Sequence, residues 1–529
     1  MNEELALYII EEAVKNGVTE FCICPGARNA PFYKILVQAA SLKKYFWFEE
    51  RSAGFFALGR ARNTGQPVAV ITTSGTAAGE LLPAAMEAYY TGIPLLLITA
   101  DRPRRFRGSG APQTAEQVGI FSIYTPFAQD IAESETCSLK DWDCAAPGHL
   151  NVCFEEPFPQ SETSPKKGHL TNLFAVSSAP TILGAVPQQA HAWLEQFLQK
   201  ACYPFVVVSN IKSEARSSVV NFLLKLNAPV FIEGVSGIRE DPRLQHLRIR
   251  RTDNLWKSAE DAGYPIDAIL RIGGVPTFRL WRDVEEREGK IAVCSINDVP
   301  FSGLSWADII HAPVDRFFEQ YPNPPSFKLH ISQGWLKADL QFDQKLQRLF
   351  KEELCAEQSL IHALSQRIPN DSLIYLGNSL PIREWDLAAC HEERNFSVKA
   401  SRGVNGIDGQ ISTFLGLCRP HKENWAILGD LTVLYDLAGP WILSQLEDVT
   451  MNIVVINNGG GQIFSRFLPD KEFINAHGYH FAPIAEMWRL RYEKWTSVPE
   501  ITSSKANRLI EVVPDGDATR RFNDKLQRM

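Results

Sequence analysis

Short apolar runs alternate with amphipathic stretches along the first third of the chain. The apolar runs are bounded by Gly, Pro, Asn or charged residues, which is typical of buried parallel strands, and the stretches between them are long enough for helices. The predicted strands are residues 20–24, 45–48, 68–72 and 95–99. This alternation predicts a doubly wound parallel sheet.

The same alternation continues to the end of the chain, after a change in composition near residue 172. A second, Rossmann-like domain is expected first, and the prolines in residues 321–327 suggest a linker to a third. The further predicted strands are residues 204–209, 229–233, 268–272, 291–296, 373–376, 396–400, 425–428 and 451–456. We therefore predict an α/β protein of three doubly wound parallel-sheet domains, residues 1–171, 172–335 and 336–529.

Polar and glycine-rich loops follow four of the strands in the first predicted domain. Their sequences are CPGARNAP, FEERSAG, TTSGTAAG and TADRPRRFRGSGAPQ. The carboxyl ends of parallel strands share one edge of a sheet, and ligands of open α/β sheets bind at that edge. These loops are therefore expected to meet at one binding site.

A carboxylate and a carboxamide close two strands of the third predicted domain. Asp430 follows the strand at residues 425–428, and Asn458, with Asn457 before it and three glycines after it, follows the strand at 451–456. A right-handed crossover between neighbouring strands would place Asp430 and Asn458 side by side. Their oxygens suit Mg²⁺ bridging to a diphosphate, and the glycines permit close approach of phosphate. The alternative is that both segments are ordinary turns after strands.

Glu50 and Arg102 are two charged candidate functional residues in the first predicted domain. Glu50 lies between aromatic residues at a strand end, where poor solvation would raise its pKa and suit it to proton transfer; the alternative is a solvated helix start. Arg102 follows a strand directly and is placed to bind a carboxylate bidentately, although charge runs are usually solvated. In the loop at residues 73–76, free backbone N–H groups could hold an anion, and N-capping by Ser74 or Thr73 explains the loop equally well.

Composition narrows the class of protein. The chain has 529 residues, of which 45% are hydrophobic and 22% charged, and its net charge of −7 argues against nucleic acid as the main partner. No apolar run reaches the length of a membrane span, and the acidic, amphipathic N-terminus is unlike a signal peptide, so a cytoplasmic protein is expected. Ten cysteines without CxxC pairs favour reduced core thiols, and the histidines show no metal-binding spacing.

Several motifs together resemble one family of enzymes. The stretches concerned are CPGARNAPF, FEERSAGFFALGRARNTGQPVAVITTSGTAAGELLPAAMEAYYTGIPLLLITADRP, SRGVNGIDGQISTFLG, GDLTVLYDLAG and INNGGGQIFSRF. They are similar to those of the 2-succinyl-5-enolpyruvyl-6-hydroxy-3-cyclohexene-1-carboxylate synthases of menaquinone biosynthesis. That family belongs to the thiamine diphosphate-dependent enzymes, whose cofactor motif starts at Gly-Asp and ends at Asn-Asn.

The resemblance implies a cofactor, a metal and their ligands. Thiamine diphosphate would bind with Mg²⁺ or Mn²⁺, and the metal ligands would be Asp430, Asn458 and the carbonyl of Gly460. Glu50 would hydrogen-bond the pyrimidine ring of the cofactor and promote its activation, and Ile407 would support its bent conformation. The other implied cofactor contacts are Ser74, Gly75, Leu431, Ile463 and Phe464.

The resemblance also implies the reaction and the assembly. The enzyme would decarboxylate 2-oxoglutarate and add the resulting succinyl-semialdehyde carbanion to isochorismate. Both substrates are dianions, so the chemistry requires basic residues at the site. A homodimer or homotetramer is expected, with Glu50 and Asp430 acting from different chains. The implied substrate contacts are Arg28, Arg102, Gln113, Ser379, Arg383 and Arg402.

Some positions depart from the family pattern. Ala27 stands where the family usually has Ser, and Pro112 replaces a usual Asn, so the substrate loops differ. Arg279 falls roughly where the family has a substrate-facing basic residue, and a surface arginine is the alternative. Another thiamine diphosphate-dependent 2-oxo acid decarboxylase or carboligase therefore stays open as a second hypothesis, and a non-catalytic scaffold or ligand sensor as a third.

Overall fold

A computed structural model describes residues 2–133, 135–156 and 185–529. Its three sheets are parallel and are interleaved with helices, which confirms the predicted α/β class. The strands predicted at residues 68–72, 268–272 and 373–376 have those same bounds, and the other predicted strands shift by one or two residues at one or both ends. Apolar runs between turn residues were therefore a reliable guide to the buried strands.

The first sheet lies in the N-terminal part of the chain. Its strands among the described residues are β1 (Glu20–Ile23), β2 (Lys43–Phe46), β3 (Val68–Thr72), β4 (Leu95–Asp101), β5 (Phe127–Ile131) and β6 (Gly148–Cys153). They are ordered β2-β1-β3-β4-β6-β5. The helices of this part are α1 (Asn2–Lys15), α2 (Ala30–Gln38), α3 (Glu50–Thr64), α4 (Thr76–Gly79) and α5 (Leu82–Thr91).

The second sheet occupies the middle of the chain. Its strands in the described residues are β7 (Pro204–Val208), β8 (Val230–Ile232), β9 (Ala268–Ile272), β10 (Ala292–Asn297) and β11 (Ile309–His311). Their order, β11-β10-β9-β7-β8, is a doubly wound topology. The accompanying helices are α6 (Ala190–Lys200), α7 (Arg216–Leu226), α8 (Leu255–Asp261), α9 (Arg279–Glu285) and α10 (Val314–Gln320).

The third sheet repeats the order of the first. Its strands are β12 (Leu373–Leu376), β13 (Ser397–Lys399), β14 (Glu423–Gly429), β15 (Thr450–Ile456), β16 (Arg491–Trp495) and β17 (Arg508–Val512). Their order is β13-β12-β14-β15-β17-β16, so both sheets follow one topology with the numbering shifted. The helices here are α11 (Leu329–Glu352), α12 (Glu357–Arg367), α13 (Leu380–Ala388), α14 (Gln410–Leu417), α15 (Asp430–Tyr435), α16 (Ala482–Met487) and α17 (Gly516–Gln527).

The connection between β14 and β15 differs from one long crossover helix. After the short helix α15, the chain forms a 3₁₀ helix at Gly439–Gln445, with Pro440 in its first turn. Proline is tolerated there because the first N–H groups of a helix have no partner within it. Both flanking strands are buried along almost their whole length.

The chain divides by its internal contacts into two compact units. One comprises Gly403–Pro420, Thr432–Val449 and the described part of Met1–Ile182, and the other comprises the described part of Leu183–Arg402 with His421–Leu431 and Thr450–Met529. The predicted boundary at 171/172 lies outside the described residues, and the one at 335/336 falls within α11. The three domain ranges stay predictions. None of the helices described is long and apolar enough to cross a membrane.

Candidate cofactor and substrate site

Asp430 and the loop after β15 are brought together by strand pairing. β14 and β15 are parallel neighbours in which Gly429 pairs with Ile456, so both strands end at one edge of the sheet. Asp430 Oδ2 accepts hydrogen bonds from the N–H groups of Gly459 and Gly460, each at 2.9 Å, and Oδ1 accepts from Leu431 N–H at 2.7 Å. Asp430 therefore contacts the backbone directly after Asn458.

The environment of Asp430 raises the pKa of its carboxyl. Burial is the main cause, and the backbone N–H groups and His477 act in the opposite direction by stabilising the charged form. His477 Nε2 lies 3.2 Å from Asp430 Oδ2. Its Nδ1 accepts from the N–H of Tyr479 at 3.3 Å, which assigns the ring proton of the neutral tautomer to the nitrogen facing Asp430.

Asn458 presents its amide oxygen without a partner. Its Nδ2 donates to both carboxylate oxygens of Glu357, at 3.1 and 3.0 Å. Its Oδ1 is buried and has no hydrogen-bond partner among the described residues. A buried amide oxygen without a partner, in the loop that Asp430 contacts, is the kind of ligand that a hard divalent cation takes. The residues present therefore fit Mg²⁺ or Mn²⁺.

The neighbouring Asn457 is committed elsewhere. Its Nδ2 donates to Glu511 Oε1 at 2.7 Å and to the carbonyl of Tyr479 at 2.9 Å. Of the two consecutive asparagines, Asn458 is the one whose amide oxygen is buried without a partner in the described part of the chain.

Gly460 occupies a position that only glycine can take. Its φ is +133°, and a Cβ there would lie 2.6 Å from the carbonyl oxygen of Ile474. The Gly460 carbonyl, predicted as a metal ligand, accepts Gln462 N–H at 2.8 Å and retains a second lone pair. The backbone here is therefore fixed by close packing around Asp430.

The other predicted cofactor contacts of this unit lie close by in the chain. Ile463 and Phe464 form the short 3₁₀ helix Gln462–Phe464, where Phe464 is 47% exposed and packs edge to face on Phe473. Leu431 follows Asp430 and donates its N–H to that carboxylate. An exposed aromatic beside the candidate metal site offers apolar surface to a ligand.

Glu50 is the first residue of α3, but the residue that caps this helix is Glu49. The Glu49 carboxylate accepts from the N–H groups of Arg51 and Ser52, at 3.1 and 2.8 Å, and so caps the helix. Glu50 is half-buried, and burial is the main cause that raises its pKa, with the charges of Glu49 and Glu80 adding to it. These contacts favour the proton-transfer interpretation over the solvated helix start.

The loop at residues 73–76 differs from both interpretations of its sequence. The N–H of Gly75, expected to be free for an anion, donates to Gln117 Oε1 at 2.9 Å. The cap of α4 is Gly75 itself, and neither Thr73 nor Ser74 makes a side-chain capping bond there. The buried Gln117 also donates to Asn151 Oδ1 at 2.9 Å, which ties the loop to β6. The Gly75 N–H of this loop is therefore occupied by Gln117, and anion binding by the loop stays a prediction.

Arg102 and Gln113 are neighbours of this loop. Arg102 Nε donates to the carbonyl of Pro112 at 2.9 Å, and a Cβ on Gly75 would lie 3.4 Å from the Cα of Gln113. Gln113 adopts a positive φ of 56° and is exposed. Three predicted ligand contacts thus lie together in one unit.

The guanidinium of Arg28, a predicted substrate contact, is largely occupied by bonds within the protein. Its Nη1 donates to the carbonyls of Phe154 and Glu155, both at 3.1 Å, and Nη2 lies 3.3 Å from Glu156 Oε1. The side chain is buried except at the guanidinium edge next to the exposed Glu156. A substrate carboxylate would therefore compete with Glu156 for that edge.

Ser379, Arg383 and Arg402 meet at the ends of β12 and β13. Arg383 Nη1 donates to the Ser379 carbonyl at 2.5 Å, and Arg402 Nη1 donates to Asn378 Oδ1 at 2.8 Å. Ser379 has a φ of +72°, an unusual conformation for a non-glycine residue that is found preferentially at functional sites. Arg279, by contrast, is 70% exposed at its side chain and pairs with Asp283 at 3.3 Å, which favours the surface interpretation.

The loop that carries Ile407 is fixed to the unit containing Glu50. A Cβ on Gly409, which has a positive φ, would overlap the ring of Phe55 in α3. The carboxylate of Glu87 on α5, 2% exposed, accepts the N–H groups of Gly403 and Val404 at 2.9 and 2.8 Å. Ile407 itself is partly buried.

Four residues that support the site were missed from the sequence: Glu87, Gln117, Glu357 and His477. Glu357 lies 101 residues from Asn458, and Glu87 lies 316 residues from Gly403. No local pattern marks such partners, because each is a buried polar side chain defined only by the tertiary fold. The one weak sequence signal for Glu357 was that this glutamate follows an apolar residue at the start of a helix.

The N-terminal part of the chain matches one family of known proteins. Residues 3–120 match the family described as "Thiamine pyrophosphate enzyme, N-terminal TPP binding domain".

In the described residues, the structure contains no trio of His, Cys, Asp or Glu side chains placed to hold a metal, so a metal site here depends on amide and carbonyl oxygens.

Whole-length relatives carry one name. The chain is 42% identical to a 2-succinyl-5-enolpyruvyl-6-hydroxy-3-cyclohexene-1-carboxylate synthase of Bdellovibrio bacteriovorus, with 98% of each chain covered. It is 35% identical to the synthase of the same name from Akkermansia muciniphila, over 98% of this chain and 97% of the relative. A third such synthase, from Chloroflexus aurantiacus, is 29% identical over 93% of this chain and 89% of the relative.

Proposed function

Because the chain belongs to the family of 2-succinyl-5-enolpyruvyl-6-hydroxy-3-cyclohexene-1-carboxylate synthases, we propose that it decarboxylates 2-oxoglutarate and adds the remaining four-carbon fragment to isochorismate. The reaction uses thiamine diphosphate and Mg²⁺ or Mn²⁺ and serves menaquinone biosynthesis. The protein acts as a cytoplasmic homodimer or homotetramer.

The observation that carries this proposal is that the adjacent ends of β14 and β15 place Asp430 against the loop that contains Asn458. Asp430 is held by the N–H groups of Gly459 and Gly460, and the Asn458 amide oxygen is buried without a partner among the residues described. Such an oxygen is costly unless a ligand satisfies it. A divalent cation that also contacts a diphosphate is the ligand that the family implies.

The cofactor supplies, when bound, a carbon that stabilises the negative charge left by loss of CO₂. The chain's part is to orient it and to control protons. Burial raises the pKa of Glu50, which suits this carboxyl to hydrogen-bond the pyrimidine ring nitrogen when the cofactor is bound. Ile407 and Phe464 supply apolar contacts.

The basic residues bind the dianionic substrates. Arg102, with Gln113 beside it, lies in one unit, and Arg383 and Arg402 lie together in the other. Guanidinium groups bind carboxylates bidentately and retain their charge when partly buried. We assign the site to two chains of an oligomer, with Glu50 from one subunit and Asp430 from another.

A second candidate function is another carboligase of the same cofactor class. It is favoured by Ala27 and Pro112, which stand where the family usually has hydrogen-bonding side chains. The Pro112 carbonyl is occupied by Arg102, so this loop differs in its available contacts.

The two functions are distinguished by a comparison of 2-oxo acids. With thiamine diphosphate, Mg²⁺ and isochorismate present, kcat/KM for 2-oxoglutarate should exceed that for pyruvate by about 100-fold or more, because pyruvate lacks the second carboxylate. Arg383→Ala should reduce this ratio. A preference for pyruvate would select the second function, and binding of cofactor with no turnover of either acid would exclude both.

A further inference from the structure

A buried carboxylate holds the amide of Asn458. Both oxygens of Glu357 lie within hydrogen-bonding distance of Asn458 Nδ2, at 3.1 and 3.0 Å, and Glu357 is 3% exposed. Glu357 begins α12, and its own N–H donates to Thr519 Oγ1 at 3.1 Å. The residue is therefore held at its backbone, and its carboxylate is directed at Asn458.

A second carboxyl group lies behind Glu357. Glu384 on α13 is fully enclosed, and burial together with the charge of Glu357 raises its pKa well above the ordinary value. A side-chain hydrogen bond with Glu357 also raises this pKa, and Glu384 Oε1 accepts from Gln358 Nε2 at 2.9 Å. Glu384, Glu357 and the amide of Asn458 thus form a buried row of polar groups.

The row determines which end of the Asn458 amide faces the candidate metal site. A carboxylate can only accept hydrogen bonds, so it takes the NH₂ end of the amide and leaves Oδ1 on the opposite side. That oxygen is buried and has no hydrogen-bond partner in the part of the chain that is described. Without an obligate acceptor behind it, the amide would gain by turning its oxygen toward a buried donor.

We propose that Glu357 is a positioning residue that fixes the orientation of Asn458, so that the amide oxygen is preorganised for a divalent cation. The inference rests on the proposed cofactor and metal site. Outer partners that orient a metal ligand commonly affect metal affinity even though they do not touch the metal.

The test compares two substitutions that separate polarity from size. Glu357→Gln keeps the volume but introduces an NH₂ group, which favours the turned amide. Glu357→Asp is shorter but keeps an acceptor-only carboxylate. Mn²⁺ affinity, measured by the paramagnetic resonance of free Mn²⁺ in the presence of thiamine diphosphate, should fall about 10–100-fold in Glu357→Gln and less in Glu357→Asp.

A matched control lies one residue away from Asn458. Glu511 accepts from Asn457 Nδ2 at 2.7 Å and is 1% exposed, but Asn457 does not face the site. Glu511→Gln should change Mn²⁺ affinity less than about threefold, which is below the range for outer partners of metal ligands. Melting temperatures without metal identify any variant that fails to fold, and Glu357→Asp then carries the test.

The outcomes also separate this inference from the proposed function. If Asp430→Ala weakens Mn²⁺ binding and Glu357→Gln does not, the positioning role is wrong and the metal site stands. A greater loss in Glu357→Asp than in Glu357→Gln would indicate packing instead of polarity and would also overturn the role. If Asp430→Ala leaves Mn²⁺ affinity unchanged, the metal site itself is wrong.

Discussion

Glu50 owes its candidate role to the residue before it. The Glu49 carboxylate caps α3 through the N–H groups of Arg51 and Ser52, so Glu50 is not needed for capping. Burial then raises the pKa of a carboxyl that has no duty in the helix start. Two adjacent glutamates thus differ in their contacts and in their burial.

Glu50→Gln should lower kcat by about 10²–10⁴-fold, because the amide cannot transfer the proton that the carboxyl holds. Binding of thiamine diphosphate should change much less. The comparison is Glu49→Gln, which weakens the cap and costs about 1 kcal/mol of stability but leaves kcat near wild type. Steady-state kinetics and calorimetric cofactor titration measure both variants, and wild-type kcat in Glu50→Gln would refute the assignment.

Asp436 is a second buried carboxyl whose environment has a measurable consequence. Its Oδ2 accepts Ser412 N–H at 2.7 Å, and its Oδ1 contacts the hydroxyls of Ser412 and Ser52 at 3.0 and 3.1 Å. Burial is the main cause that raises the pKa of Asp436 to about 6. The folded state therefore binds this proton more tightly than the unfolded state, whose carboxyl has its ordinary pKa of 3.8.

A pH dependence of stability follows from that difference. The stabilisation from the Asp436 proton is complete below pH 3.8 and is lost as pH rises through about 6. Asp436→Asn keeps the acceptor for Ser412 N–H and does not titrate. Its unfolding free energy relative to wild type should rise by about 2 kcal/mol between pH 4 and 7. Urea unfolding at several pH values measures this, and a pH-independent difference would contradict it.

Sequence predicted the residues of the candidate site better than it predicted their surroundings. Asp430 and Asn458 were marked by their positions after apolar strands, because strand order and crossover handedness confine such residues to one sheet edge. Glu357 and Gln117 lie far away in the chain, and their contacts exist only after folding. The hydrogen bond from Gly75 N–H to Gln117 was missed for this reason, since nothing nearby in sequence indicates Gln117.

At the scale of elements, α3 and α14 pack with their backbones in contact. A Cβ on Gly59 would lie 2.2 Å from the carbonyl oxygen of Thr413, and one on Gly416 would lie 2.3 Å from that of Phe56. Both helices belong to the unit that contains Glu50 and Ile407. Small residues at a crossing permit an approach that any side chain would prevent.

Gly59→Ala should therefore destabilise the protein by about 1–3 kcal/mol or more, since backbone atoms cannot move aside as a flexible side chain can. Gly79→Ala is the matched control, because a Cβ there meets only Ile120 Cδ1, at 3.9 Å. That change should be within about 0.5 kcal/mol of wild type. Chemical denaturation of both variants measures these changes in the free energy of unfolding. Equal stability of Gly59→Ala and wild type would show that the helices separate readily.

At the scale of the whole molecule, the first and third sheets share one strand order. The sequence predicted four strands of each of these two sheets, but it did not predict β5, β6, β16 and β17, nor β11 of the second sheet. Edge strands such as β16, whose sequence is RYEKW, are short and polar, so the apolar pattern that marks a buried strand is absent. In β6, buried His149 and Asn151 interrupt that pattern and bond to Thr99.

The most direct test of the proposed function is the stoichiometry of the complete reaction. With 2-oxoglutarate, isochorismate, thiamine diphosphate and Mg²⁺, the protein should release CO₂ and consume isochorismate in equal amounts. Asp430→Ala measured in parallel should do neither, because it removes a proposed metal ligand. Release of CO₂ without consumption of isochorismate, or consumption of isochorismate without 2-oxoglutarate, would contradict the proposed reaction.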